Sequence, residues 1–221
     1  MKLLLTSGGI TNSSIHNSLV NLLDKPIAES TALLIPTAIY AHPMAGPFTA
    51  WQAITGQFPG SLSGLGWKSL GVLELTALPS IKEELWLPML QTIDALLVEG
   101  GDALYLYYWM QQSGVAELLP SLAAVYVGLS AGSMVMTPKI GQHFVNWTPP
   151  TGGDETLGFV DFAIFPHLDH EMMPYNTLAD AERWAAGMRV PGYAIDDQTA
   201  IQVTDGTVEV ISEGHWKQFV P

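Results

Sequence analysis

The sequence predicts an α/β fold with a mostly parallel central sheet, because short apolar segments alternate with helical stretches along most of the chain. Several apolar segments end in glycine, proline or small polar residues, which is typical of parallel strands that lead into crossover helices. A third observation is the bend at Gly128-Leu129-Ser130-Ala131-Gly132, where an apolar segment opens directly into a run of small residues. Together these features favour helices packed against a central sheet.

The predicted elements alternate regularly from the first residues onward. Strands are expected at residues 2–6, 32–36, 69–75, 95–99 and 124–128, and helices at residues 13–23, 81–92, 103–113 and 132–137. Residues 138–158 are rich in Pro, Gly and polar side chains, and we interpret this long irregular segment as a flank of the active site. Beyond it we expect a strand at 159–165, a helix at 177–188 and strands at 193–195, 200–203 and 208–212. The Asp205-Gly206 pair is a strong hairpin turn signal between the last two.

Composition limits the function classes. The 221 residues, 48% of them hydrophobic, can bury one substantial core, and since no linker is visible we expect residues 1–221 to form a single domain. A formal net charge of -13 argues against nucleic-acid or anionic membrane partners. The absence of cysteine excludes a thiolate nucleophile and Cys-ligated zinc. The apolar start is too short for a signal peptide or membrane span, so a cytoplasmic protein is expected.

Ser130 is the candidate nucleophile. It stands in a G-x-S-x-G motif between a predicted strand and a predicted helix, which is the setting of a nucleophile elbow. Glycines on either side permit the tight turn, and the hydroxyl is presented near backbone N–H groups that favour negative charge. The alternative is that the glycines merely allow the helix and strand to pack closely.

The Gly100-Gly101 pair follows a predicted strand and is expected at the same edge of the sheet as Ser130. The N–H groups of Gly101 and Ala131 are candidates for an oxyanion hole that would hold a tetrahedral intermediate. An ordinary tight turn before a helix capped by Asp102 explains the same residues equally well.

A serine nucleophile requires a base and a carboxylate that orients it. His167 follows a predicted strand and is the candidate base, whereas the histidines in helical or loop positions are expected to be structural or exposed: His16, His42, His143 and His215. A metal site formed by His167, His170 and Glu171 is disfavoured because Pro166 argues against a helix there. Asp196 and Asp197, after a short apolar strand, are the candidate acids, although an aspartate pair also begins turns.

These segments together resemble the peptidase E (aspartyl dipeptidase) family of serine peptidases, whose relatives include cyanophycinase. The resemblance extends nearly end to end and implies a class I glutamine-amidotransferase-like, flavodoxin-like fold with three layers. The segments that carry it are Thr6-Ser7-Gly8-Gly9, Gly100-Gly101-Asp102, Tyr126-Val127-Gly128-Leu129-Ser130-Ala131-Gly132, Phe165-Pro166-His167 and Ile195-Asp196-Asp197-Gln198-Thr199-Ala200.

The resemblance implies a Ser130–His167 pair that attacks an amide carbonyl, with oxyanion donors at Gly101 and Ala131. Peptidase E takes its acid from the loop after the serine motif, but residues 143–147 contain no carboxylate here. Cyanophycinase-like members take a Glu from a motif similar to Asp-Asp-Gln-Thr-Ala, and the matching position is Asp197. We therefore expect Asp197, rather than Asp196, to complete the triad.

The resemblance also implies a short peptide substrate with N-terminal Asp. Arg183 matches the family's Arg after its His motif and would bind the aspartate carboxylate, although an exposed helix residue paired with Asp180 or Glu182 is the simpler interpretation. No cofactor or metal is expected, and a homodimer is left open.

Other functions are compatible with parts of the same motif set. An α/β-hydrolase esterase shares the elbow, but its acid precedes its histidine along the chain, opposite to the order here. A non-catalytic member of the same fold that binds a peptide or metabolite stays open. Glutamine amidotransferase chemistry is excluded because it requires a cysteine.

Overall fold

The computed structural model describes residues 1–221 and contains ten strands and seven α-helices. The strands are β1 (Lys2–Thr6), β2 (Thr31–Ile35), β3 (Ser69–Val72), β4 (Ala95–Val98), β5 (Val125–Leu129), β6 (Ala163–Phe165), β7 (Gly192–Ile195), β8 (Thr199–Thr204), β9 (Thr207–Ser212) and β10 (Trp216–Phe219). The helices are α1 (Ser13–Leu23), α2 (Pro47–Ile54), α3 (Leu87–Thr92), α4 (Ala103–Gln112), α5 (Val115–Leu118), α6 (Ala131–Met134) and α7 (Leu178–Ala186). None of these helices combines the length and the apolar character that a membrane span requires.

The central sheet has seven strands in the order β3-β2-β4-β5-β1-β8-β9. The five strands from β3 to β1 are parallel, and β8 and β9 are antiparallel to their neighbours. This mixed, mostly parallel sheet flanked by helices confirms the predicted fold class. Because β4, β5 and β1 are adjacent, the segments that follow them meet at one edge of the sheet.

Both faces of the sheet are covered, as its nearly continuous apolar strands require. On β1, Leu3 and Leu5 belong to a cluster of 33 buried residues on one face. Leu4 points the other way, into a cluster of 14 buried residues that includes Ile15 and Leu19 of α1. Alternate side chains of one strand thus support two layers of packing, with the sheet as the third.

A second, three-stranded sheet lies outside the central one, in the order β10-β7-β6. Strand β7 runs parallel to β6 and antiparallel to β10. A separate cluster of seven buried residues, among them Phe165 and Trp184, packs this sheet against α7. This small sheet matters for the site because the segment after β6 carries His167.

The structure differs from the sequence prediction in several places. The expected helix 81–92 is a 3₁₀ turn at Glu83–Leu85 followed by α3, because Pro88 lacks the N–H that a continuous helix needs and stands instead in the first turn of α3. The expected strand 159–165 pairs only over β6. Helices α2 and α5 and strand β10 were not predicted.

Candidate active site

Ser130 stands at a strained bend between β5 and α6. Its backbone has φ 49° and ψ −107°, a region that costs a non-glycine residue roughly 1–3 kcal/mol. The Ser130 N–H donates to the carbonyl of Thr6 over 3.0 Å, and its carbonyl accepts from the N–H groups of Ser133 and Met134, each over 2.9 Å. These three bonds hold the turn, so the hydroxyl is presented at the sheet edge in a fixed direction.

The two glycines of the G-x-S-x-G motif are required by close backbone approach. A methyl group added at Gly128 would lie 2.6 Å from the carbonyl carbon of Gly132. One added at Gly132 would lie 2.2 Å from the carbonyl oxygen of Val98, on the neighbouring strand β4. Both distances are shorter than any side chain tolerates. The same two glycines therefore allow both the sharp turn at Ser130 and the close packing of α6 against the strands.

His167 joins Ser130 to Asp197 through its two ring nitrogens. Nε2 lies 2.8 Å from the Ser130 Oγ atom, and Nδ1 lies 2.7 Å from the Asp197 Oδ1 atom. With the Nδ1 proton donated to the carboxylate, Nε2 is the acceptor for the serine hydroxyl. The structure therefore brings three of the predicted site residues into one hydrogen-bonded chain.

Ser7, just after β1, ties the histidine to the carboxylate a second time. Its hydroxyl accepts a hydrogen bond from the backbone N–H of His167 and donates one to Asp197 Oδ1, both over 2.7 Å. Sequence reasoning noted Thr6-Ser7-Gly8-Gly9 without assigning Ser7 a role. The sequence feature that could have indicated this role is the position of a hydroxyl directly after β1, a parallel strand of the central sheet.

The environment of Asp197 favours its ionised form. Burial, the largest single influence, acts to raise its pKa, but hydrogen bonds from His167 and Ser7 and the proximity of the His167 and His170 rings hold the pKa below its ordinary value. His170 Nε2 lies 3.5 Å from Asp197 Oδ2. The carboxylate thus remains charged where it faces the His167 ring.

Asp196 points away from His167. Its carboxylate accepts hydrogen bonds from the Thr199 hydroxyl over 2.6 Å and from the N–H groups of Gln198 and His215 over 3.1 and 2.7 Å. It therefore organises the turn between β7 and β8 and the segment before β10. Of the two candidate acids, only Asp197 contacts the His167 imidazole.

The Gly100-Gly101 turn lies directly against Ser130. A methyl group added at Gly100 would lie 3.4 Å from Ser130 Cβ, and Gly101 has φ 136°. Neither the Gly101 N–H nor the Ala131 N–H donates to an acceptor in the protein, so both are free to bind an oxyanion. Asp102 also caps α4 by accepting from the Tyr105 N–H over 2.9 Å, so the capping and oxyanion interpretations of this segment are compatible.

Arg183 is not brought to this site. Its side chain is 71% exposed and pairs with Asp180 one turn earlier on α7. It borders a separate, smaller pocket beside Gly141 and Trp184. Arg183 is therefore an exposed helix residue paired with Asp180, as the simpler interpretation of the sequence had it.

A cleft of about 1070 Å³ opens over Ser130 and His167. His143, Phe144 and Asn146 border it, so the irregular segment at residues 138–158 does flank the site as expected. No Lys or Arg lines the cleft. The carboxyl residues that line it are Glu99, Asp180 and Asp197.

Fold and site together describe an α/β protein with a strained serine turn, hydrogen-bonded to a histidine, at the edge of a mostly parallel sheet. The family model of peptidase family S51 matches residues 3–211. The chain therefore belongs to peptidase family S51 and is a serine peptidase. The resemblance stated from the sequence motifs is confirmed.

Solved structures of similar proteins have the same fold. A candidate peptidase E protein from Listeria monocytogenes EGD-e superposes with a TM-score of 0.70 at 20% identity, covering 96% of this chain and 98% of the other. A peptidase from an acI-B1 Actinobacterium gives a TM-score of 0.68 at 18% identity, covering 99% and 93% of the two chains. No curated protein matches the chain significantly in sequence.

Proposed function

We propose that the protein hydrolyses short peptides, dipeptides among them, through a triad of Ser130, His167 and Asp197. The observation that carries this proposal is the unbroken hydrogen-bond chain from the serine hydroxyl through both imidazole nitrogens to an ionised carboxylate. This arrangement holds the tautomer that a general base needs, with Nε2 unprotonated and aimed at the nucleophile.

The reaction would proceed by acyl transfer. Ser130 Oγ attacks the scissile carbonyl carbon while His167 Nε2 takes the hydroxyl proton, and the oxyanion forms opposite the free N–H groups of Gly101 and Ala131. The C–N bond then breaks as Nε2 gives the proton to the leaving amine. Water attacks the acyl-enzyme by the same route, which releases the acid and restores Ser130.

Preference for N-terminal Asp is the finer prediction from the family resemblance, and the contacts give it little support. A pocket for an aspartate side chain needs a cation, preferably a guanidinium that can bind both carboxylate oxygens. The cleft has no Lys or Arg lining, and Arg183 is occupied by Asp180. Substrate selection is therefore expected to depend on other groups in the cleft.

The proposal is tested with dipeptides that carry N-terminal Asp, isoAsp, Glu, Asn, Leu and Ala, with released amino acids quantified. Wild-type protein and Ser130→Ala are compared with Ser121→Ala, an exposed serine that caps only a carbonyl of its own turn. We expect turnover by wild type and Ser121→Ala and none by Ser130→Ala. Hydrolysis of p-nitrophenyl acetate without any peptide cleavage would indicate an esterase, and no turnover of either substrate would indicate a binding protein.

A further inference from the structure

The cleft has an apolar floor beside the two candidate oxyanion donors. A methyl group added at Gly101 would lie 2.6 Å from the backbone nitrogen of Ile39, so Ile39 lies next to the first donor. Met134 follows the second donor, Ala131, by one turn of α6. Ile39, Met134 and Ala103 are buried and all line the cleft. A residue whose carbonyl oxygen enters this oxyanion hole therefore meets apolar side chains.

One wall of the cleft carries Phe58, two residues before a glycine that packs against the segment after β1. A methyl group added at that glycine, Gly60, would lie 2.2 Å from the carbonyl oxygen of Gly8. One added at Gly8 would in turn lie 2.7 Å from Asp197 Cβ. These close approaches leave little freedom between the segments, so the aromatic ring is carried by a chain that is fixed beside the triad acid.

A second wall is the loop that follows β6 and supplies the candidate base. The loop closes on itself, because the Met173 N–H donates to the His170 carbonyl and the Asn176 N–H donates to the Met173 carbonyl, both over 2.9 Å. Met173 and Tyr175 both line the cleft. The reacting atoms are thus bordered by apolar groups from two separate segments of the chain.

The rim of the cleft exposes large hydrophobic side chains. Those that border the cleft and face solvent are Met44, Phe58, Met172, Met173 and Tyr175. A group of exposed apolar side chains around a reactive site indicates a ligand that covers them. Three of the five are methionines, whose unbranched side chains adapt to apolar partners of different shapes.

The charges of the cleft disfavour an anionic ligand side chain. Its lining contains three carboxyl residues and no Lys or Arg. Its possible cations are three histidines, and one of them, His167, must be neutral to act as the base. A carboxylate placed here would lose its hydration without gaining a permanent cation, which is unfavourable.

We propose that the cleft selects peptides in which the residue attacked by Ser130 has a large apolar side chain, such as Leu, Met or Phe, and discriminates against Asp and Glu. This inference rests on the proposed peptidase function and names the substrate class of the same site. The floor receives the apolar side chain, and Phe58 and Met173 cover it from the two walls. Binding then removes apolar surface of both partners from water, which stabilises the complex in proportion to the area buried.

The first test measures kcat/KM at pH 8 on Leu-Ala, Met-Ala, Phe-Ala, Asp-Ala and Glu-Ala. We expect the apolar dipeptides to be favoured over the acidic ones by a factor on the order of 10². Met173→Arg places a cation at the rim and should reduce this preference about 10-fold, by impairing Leu-Ala and improving Asp-Ala. Met89→Arg is the matched control, since Met89 is 43% exposed against 36% for Met173 and does not line the cleft. It should behave as wild type.

The second test uses p-nitrophenyl esters of acetate, butyrate and hexanoate, which differ only in the apolar acyl chain. We expect kcat/KM to rise about 10-fold or more from acetate to hexanoate, because each added methylene is buried on the floor. Phe58→Ala should flatten this rise while hydrolysis of the acetate ester stays within a few-fold of wild type. In Ser130→Ala, calorimetry should show that Leu-Ala binds at least about 10-fold more tightly than Asp-Ala.

The ester series separates this inference from the proposed function. Ser130-dependent ester hydrolysis that is independent of acyl chain length, or faster cleavage of Asp-Ala than of Leu-Ala, would overturn the apolar selection and leave the serine mechanism intact. A dimer that Met173→Arg dissociates, with the peptide preference unchanged, would also overturn it, because a second copy would then cover the rim. Absence of all hydrolysis in wild type would contradict the proposed function, whereas tighter binding of Leu-Ala than of Asp-Ala would still support the apolar site.

Discussion

Two carboxyl groups near Ser130 have opposite electrostatic surroundings. Asp197 receives hydrogen bonds from His167 and Ser7, and its pKa is lowered although burial opposes this. The Glu99 Oε1 atom is buried without a hydrogen-bond partner, and burial raises the pKa of this carboxyl to about 7. The same functional group is thus held in its ionised form beside the protein's own histidine in one place and shifted toward its neutral form by burial in the other.

The largest effect on this comparison is expected from Asp197→Asn. An amide cannot hold the Nδ1 proton of His167 in the same way, so the wrong tautomer would face Ser130 and kcat should fall by about 10³- to 10⁴-fold. Steady-state kinetics on the best dipeptide of the panel measures the loss.

Asp196→Asn is the matched control for that variant. The Asp196 carboxylate holds the Thr199 hydroxyl and the His215 N–H, so its loss should lower the unfolding temperature while kcat stays within a few-fold of wild type. The reverse pattern, with Asp196→Asn inactive and Asp197→Asn active, would show that the wrong acid has been assigned.

The next effect concerns stability and comes from Glu99→Gln. A folded-state pKa raised from 4.5 to about 7 means that wild type loses stability as pH rises through this window, because the folded chain holds the Glu99 proton more tightly than the unfolded chain does. The variant lacks this loss and should be more stable above pH 7 by about 3 kcal/mol, with little difference below pH 4.5. Urea unfolding at pH 4 and pH 8.5 tests the difference, and equal stabilities at both pH values would mean that Glu99 ionises normally in the folded protein.

The smallest effect is expected from Ser7→Ala. Removal of the hydroxyl leaves the His167 N–H without an acceptor and Asp197 without one donor, which should cost about 1–2 kcal/mol of stability. Because Ser7 contacts His167 and Asp197 and is not among the residues that line the cleft, kcat should fall about 10-fold while KM is unchanged. Ser7→Thr, which restores a hydroxyl, should recover much of kcat; a change confined to KM would place Ser7 in substrate binding.

Local patterns were sufficient for most of the fold. The five parallel strands and the Asp205-Gly206 turn follow from apolar runs and turn chemistry, and Asp205 and Gly206 both have the positive φ angles that such a turn requires. The prediction of one helix over residues 81–92 was wrong, because Pro88 has no N–H to donate within a continuous helix and lies in the first turn of α3 instead. Strand β10 was not predicted because its pairing with β7 depends on tertiary contacts.

The site was predicted from the sequence only where its residues stand in local motifs. Ser130, His167 and Asp197 stand in motifs whose spacing the resemblance identifies, and the structure brings them together. The role of Ser7 depends on the distance between residues 160 positions apart, which no local pattern reports. Glu99 stands at the end of a predicted strand, and only the folded chain reveals that it is buried with its Oε1 atom unpaired.

The most direct test of the central claim is covalent labelling by a fluorophosphonate, followed by intact-protein mass measurement and peptide mapping. An activated serine nucleophile predicts a single adduct on Ser130, absent in Ser130→Ala and strongly slowed in His167→Ala. An adduct on another residue, or no adduct in wild type, would contradict the assignment of Ser130 as the nucleophile.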